Sequence, residues 1–235
     1  MQILFALIAC LASMKASATL LERAPLTSGG TDYQAYYDDV LNITWLADPQ
    51  FARTSGYDSD GVMSFQDATL FIASLNTSNH LGTNNWRLPA WTDTGTLGCN
   101  FTNAYEETDC GFNVDVGTGE MAHLFFETLG NLSVFDAIGR PRPDGTYGYL
   151  NPSPFAVDLL RAYWYANEYP LESDSALYFF FEAGVQAVAL KDFDSGAWAV
   201  RDGNVASVPI PATAWLLCTG LASLLGRLPD DYAME

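Results

Sequence analysis

The chain has 235 residues, enough for one large domain with appendages, and 49% of them are hydrophobic, which excludes a disordered chain. Twenty-eight acidic residues against ten basic ones give a net charge of −18. A surface that acidic repels nucleic-acid phosphates and anionic lipid headgroups, so nucleic-acid binding is excluded as a function.

In chain order, "ILFALIACLA" (Ile3–Ala12) is an apolar run of the length of a secretory h-region. "ASA" (Ala16–Ala18) follows with small residues at the cleavage positions, so residues 1–18 are expected to be a signal peptide. Cysteine usage agrees with export. Cys10 falls in this leader and Cys218 in a terminal apolar run. Cys99 and Cys110 remain in the body and bracket the polar stretch "CNFTNAYEETDC", a natural disulfide span in an oxidising compartment. No second cysteine pair or nearby histidine completes a tetrahedral metal set around them.

Apolar-polar alternation over Tyr37–Trp45 predicts a strand. A Gly- and Asp-rich loop follows. Ser64 and Asp67 then have the spacing of a helix N-cap, and Phe65, Ala68, Leu70, Phe71, Ile72 and Leu75 give a helical apolar face. "NNWRLP" (Asn84–Pro89) reads as a short strand stopped by proline. Residues 90–119, rich in Gly, Asn and Thr, form a long loop tied by the cysteine pair. "GEMAHLFFETLGN" (Gly119–Asn131) is a second amphipathic helix ending near Gly130. Residues 136–157 are loop-like. From Ala162 the segments "AYWYANEY", "ALYFFFEAGVQAVAL" and "AWAVRDGN" are aromatic strands separated by turns. Helices first and strands later, with an early strand able to pair back, predict an α+β fold. Four sequons occur, at Asn42, Asn76, Asn100 and Asn131.

These blocks, from "YYDDVLNITWLAD" through "NNWRLP" to "AWAVRDGN", resemble in the same order the Lcl C-terminal-like domain family of exported bacterial proteins, over about residues 33–225. The resemblance implies a C-type lectin-like domain over residues 19–207: two helices packed on twisted antiparallel strands, with long loops. It also implies a surface or adhesive role in the envelope or matrix of a Gram-negative bacterium, without catalysis. "VPIPATAWLLCTGLASLLG" in residues 208–235 is similar to a PEP-CTERM sorting signal. Its apolar stretch, Ala212–Leu225, is shorter than the roughly 20 residues of a spanning helix. Acids follow it where a basic cluster belongs, with Arg227 the lone base, so the tail reads as a degenerate or processed sorting signal with transient membrane contact; a C-terminal helix packed on the domain and a stable anchor are the alternatives.

Several residues are candidates for chemistry. Asp58 and Asp60 in "YDSDGVMS" resemble half a calcium loop, and lectin-like folds often hold calcium. The register that places Gly61 at the turn puts Gly56 where the first Asp ligand belongs, so an Asx turn entering a capped helix is the competing reading. Glu120 and His123 share one helix face at a ligand-like spacing, but His80 is the only other histidine. Trp86, Arg87, Trp164, Trp198 and Arg201 could stack on or hydrogen-bond to sugars, although aromatics in strands usually build the core. The calcium-lectin signatures Glu-Pro-Asn and Trp-Asn-Asp are absent. The expected function is binding of extracellular polysaccharide or matrix. A self-associating structural subunit is the alternative. An enzyme of the formylglycine-generating type, which would need reactive thiols, is a third reading.

Overall fold

The computed structural model describes residues 18–26, 29–105, 108–151, 153–155 and 162–205. The sorting-like tail and all but the last residue of the leader lie outside the described residues, as do Cys10 and Cys218. The fold is α+β, with two sheets and few helices. Among the described residues, no helix is long and apolar enough to cross a membrane.

The first sheet holds β1 (Leu20–Pro25), β2 (Tyr33–Asp38), β3 (Ile43–Leu46) and β9 (Val200–Asp202), in the order β1-β2-β3-β9 and antiparallel throughout. The strand expected over Tyr37–Trp45 is therefore a hairpin. The buried Asp38 carboxylate accepts the amides of Val40 and Leu41 at 3.0 and 2.9 Å, and Asn42 takes a positive φ of 54°. Those local bonds turn the chain where alternation alone reads straight through. β3 pairs with β9, so the early strand does pair back to the end of the domain.

The helix α1 (Phe51–Thr54) is a single turn. The longer α2 (Phe65–Thr77) starts where Ser64 accepts the Asp67 amide at 3.2 Å and donates to the Asp67 carboxylate at 2.7 Å. Phe65, Ala68, Phe71, Ile72 and Leu75 are buried on it. Leu70, expected on that face, is 52% exposed, because it lies off the i, i+3, i+4, i+7 arc. "NNWRLP" forms no continuous strand. Only Arg87 pairs, with Val200.

The second sheet runs β4 (Phe101–Thr102), β5 (Cys110–Phe112), β8 (Val185–Leu190), β7 (Ser175–Phe180), β6 (Ala162–Glu168). The two ends of the long polar loop thus supply its edge. Cys99 and Cys110 are disulfide-bonded across a sequence separation of 11, as expected. Gly111 has φ +102°, and a Cβ there would sit 2.0 Å from the Thr102 carbonyl oxygen, so only glycine fits at this close approach. The second helix is mixed: α3 (Glu120–His123) passes into a π-helical turn, Leu124–Thr128, and ends before Gly130 at φ +65°.

The core is aromatic. Trp198 lies 5.0 Å from Trp45 of the first sheet, 5.5 Å from Tyr163 of the second, and 4.8 Å from Phe155, ring centre to ring centre. Reducing the Cys99–Cys110 bridge frees a loop whose closure is worth about 3 kcal/mol in the chain-entropy model. Urea unfolding of the oxidised and the Cys99→Ser/Cys110→Ser forms should differ by that amount.

Candidate functional site

All three tryptophans singled out as sugar candidates are core residues. Trp86 is 3% exposed, and Trp164 and Trp198 are fully buried. Their indole N–H groups donate to the carbonyls of His80, Met63 and Leu46 at 3.0, 3.0 and 2.8 Å, which leaves neither face nor donor for a ligand. Arg201 donates to the Asp202 carbonyl and does not join Arg87 in a common site.

Arg87 is a structural clamp. Its guanidinium meets Glu120 in a two-pronged pair at 2.7 and 2.7 Å and also reaches Asp202. The Glu120 carboxylate takes the Ala90 amide as well, at 2.7 Å. Burial pulls the Arg87 pKa down, and the two carboxylates more than reverse this, holding it above its ordinary value. Glu120 is thereby spent, and the Glu120–His123 pair makes no metal site.

Asp58 and Asp60 are brought together, but as turn caps. Asp58 Oδ1 accepts the amides of Gly61 at 2.8 Å and Asp60 at 3.0 Å, and Asp60 Oδ1 accepts that of Val62 at 3.1 Å. The Gly61 bond chiefly lowers the Asp58 pKa. Among the described residues, no group of three His, Cys, Asp or Glu side chains is placed to hold a metal. The sequon asparagines are also mostly committed. Asn76 bonds both ways with the Trp86 backbone, Asn100 donates to three loop carbonyls, and Asn131 accepts the amides of Leu150 and Asn151. Asn42 is the exposed one, at the hairpin turn.

What the sequence did not mark is an aromatic cleft of 390 Å³, within the roughly 300–1,000 Å³ typical of ligand pockets. Tyr33, Gln34 and Tyr36 come from β2, Leu46 from β3, Asp48 from the bend before α1, Phe51 from α1, and His80 from the turn after α2. Pro154 completes the wall. The Phe51 and His80 rings lie 4.7 Å apart, tilted by 39°. Burial lowers the His80 pKa, so the ring is neutral at pH 7. Asp48 accepts the Gln50 amide at 2.8 Å and the Thr54 hydroxyl at 2.5 Å, which fixes its carboxylate at the rim. The Tyr33 pKa is raised, first by its hydrogen bond to Glu22. The Gln34 amide nitrogen donates to the Ala24 carbonyl at 3.3 Å. Aromatic side chains beside an amide and a carboxylate can stack on a ring and hydrogen-bond its substituents; among the described residues, no nucleophile–base pair lines the cleft.

A larger groove, 460 Å³, runs between α2 and β6. Its lysine, Lys191, is already held by Glu168 at 3.0 Å and the Ser173 carbonyl at 2.6 Å, and lies over the Phe65 ring. The two charged side chains among the described residues of that groove, Lys191 and Glu168, are thus paired with each other.

No family model, curated protein or solved structure matches the chain.

Two outcomes test these assignments. Arg87→Met strands Glu120, whose side chain is 16% exposed. The expected loss in chemical denaturation is about 2–4 kcal/mol, short of a fully buried pair because Arg87 itself keeps some solvent. His80 has a depressed pKa when folded, so the unfolded chain binds the proton first as pH falls below the ordinary 6.5. Folding stability should therefore drop as pH falls through that value, and His80→Gln should flatten this part of a pH–stability curve.

Proposed function

We propose that this protein is an exported, non-catalytic domain of C-type lectin-like fold, related to the Lcl C-terminal-like family, that binds extracellular polysaccharide at the bacterial surface or matrix. The single observation carrying the reading is the cleft between β2, α1 and the His80 turn: four aromatic or imidazole rings with Gln34 and Asp48 at hand. Sugars present apolar C–H faces and polar edges, and this mixture complements both. The ordered blocks of sequence and the leader- and sorting-like ends support the setting.

A self-associating structural subunit is the second reading. It draws on Leu97, Phe101, Tyr105 and Ile138, all more than half exposed, around the edge strand β4 of the second sheet. The formylglycine-generating reading has less support, because its chemistry needs thiols and Cys99 and Cys110 are joined.

Binding of the full chain to a panel of bacterial exopolysaccharides, with calcium and with EDTA, tests the proposal. Saturable binding is expected in both conditions, since the Asp58 and Asp60 carboxylates are bonded to backbone and do not line the cleft. Phe51→Ala should weaken it about tenfold, or roughly 1.4 kcal/mol. Loss of binding in EDTA would restore calcium to the site. Concentration-dependent assembly with no glycan bound would favour the structural subunit.

A further inference from the structure

We propose that the aromatic cleft selects a cationic sugar: its ligand class is a hexosamine polymer bearing ammonium groups, not a uronate polymer. This rests on the sugar-binding reading above and names its substrate.

The electron-rich faces of Tyr33, Tyr36 and Phe51 attract a cation, most strongly where water is partly excluded. Among the described residues that line the cleft, Asp48 is the one carboxylate and there is no lysine or arginine. Two hydrogen bonds reach the Asp48 carboxylate, from the Gln50 amide and the Thr54 hydroxyl, and a carboxylate can accept about four. Acceptor capacity is left on a carboxylate that lines the cleft. Arg53, the base on α1, is not among the described residues that line the cleft. Glu22 and Asp32 are further negative charges close enough to Tyr33 to raise its pKa, the Glu22 hydrogen bond first.

His80, the remaining titratable wall, is kept neutral by burial, so it adds no positive charge to oppose a bound ammonium. A uronate carboxylate would meet Asp48 with no compensating base among the described lining residues, in a chain that already carries −18. A neutral N-acetylated ring would stack and could donate a hydrogen bond to Asp48, but would gain no charge attraction from it.

Isothermal titration of the full chain with three oligosaccharides decides the matter. They are an N,N,N-trimethylglucosamine oligomer, whose charge does not titrate, an N-acetylglucosamine oligomer and a galacturonate oligomer. The expected order is cationic at least about tenfold tighter than N-acetylated, with galacturonate not bound. Tetramethylammonium should displace the cationic oligomer, and added salt should weaken it. Asp48→Asn, which keeps an acceptor for the Gln50 amide, should abolish the difference between the cationic and N-acetylated oligomers. Tyr33→Leu, on an exposed edge of the cleft, gives a second variant that should weaken the cationic oligomer. Equal binding of cationic and N-acetylated oligomers, or tighter galacturonate, overturns the charge selection and leaves the sugar-binding reading standing. Failure of every oligosaccharide to bind the folded protein overturns both.

Discussion

Two irregular segments bond to both sheets, residues 195–199, which run into β9, and residues 86–91, and the second of these is held by Arg87. Its backbone pairs with Val200 of β9 in the first sheet, in both directions at 2.8 Å. Two residues later the Pro89 carbonyl accepts from Ala166 of β6 in the second sheet, at 2.7 Å. The guanidinium meanwhile fixes the start of α3 through Glu120 and the end of β9 through Asp202. Charge-assisted, two-pronged bonds of this kind are directional as well as strong. The contacts of Arg87 are thus architectural.

Acidic and amide side chains do much of the work that regular hydrogen-bond ladders do elsewhere. The long loops would leave backbone amides without partners. Asp38, Asp58, Asp93, Asp109, Asp115 and Asp136 each accept one or more of them. Asp109 is fully buried and accepts from Thr94 and Asn100, while its backbone carbonyl receives the Trp91 indole and the Gln186 amide. The Cys99–Cys110 bridge and this carboxylate secure the same loop from two sides. The strong negative charge is in part a record of loops held by short carboxylates. Such residues look like cation ligands in sequence, yet several are already satisfied. Asp48 differs because it holds a turn and still borders an open aromatic cleft.

Local chemistry determined a good deal by itself. The Ser64–Asp67 cap, the apolar arc of α2, the aromatic strands after Ala162 and the Cys99–Cys110 pairing all arise from residues close in sequence, so each could be read directly. Errors arose where a local pattern had competing outcomes. Alternation over Tyr37–Trp45 did not reveal that Asp38 would bend the chain, and Leu70 fell just outside the helical arc that buries its neighbours.

Only the tertiary structure decided where recognition could occur. The conspicuous tryptophans were drawn inward because a core of this size needs large apolar side chains, and their indole N–H groups found carbonyls there. Tyr33, Asp48, Phe51 and His80 carry no motif and come from separate elements. Their meeting depends on the β2–β3 hairpin, the single turn of α1 and the left-handed Asn79 that starts the His80 turn. Sequence spacing encodes contacts along one helix or strand; a cleft assembled from several of them exists only once long-range packing has chosen their arrangement.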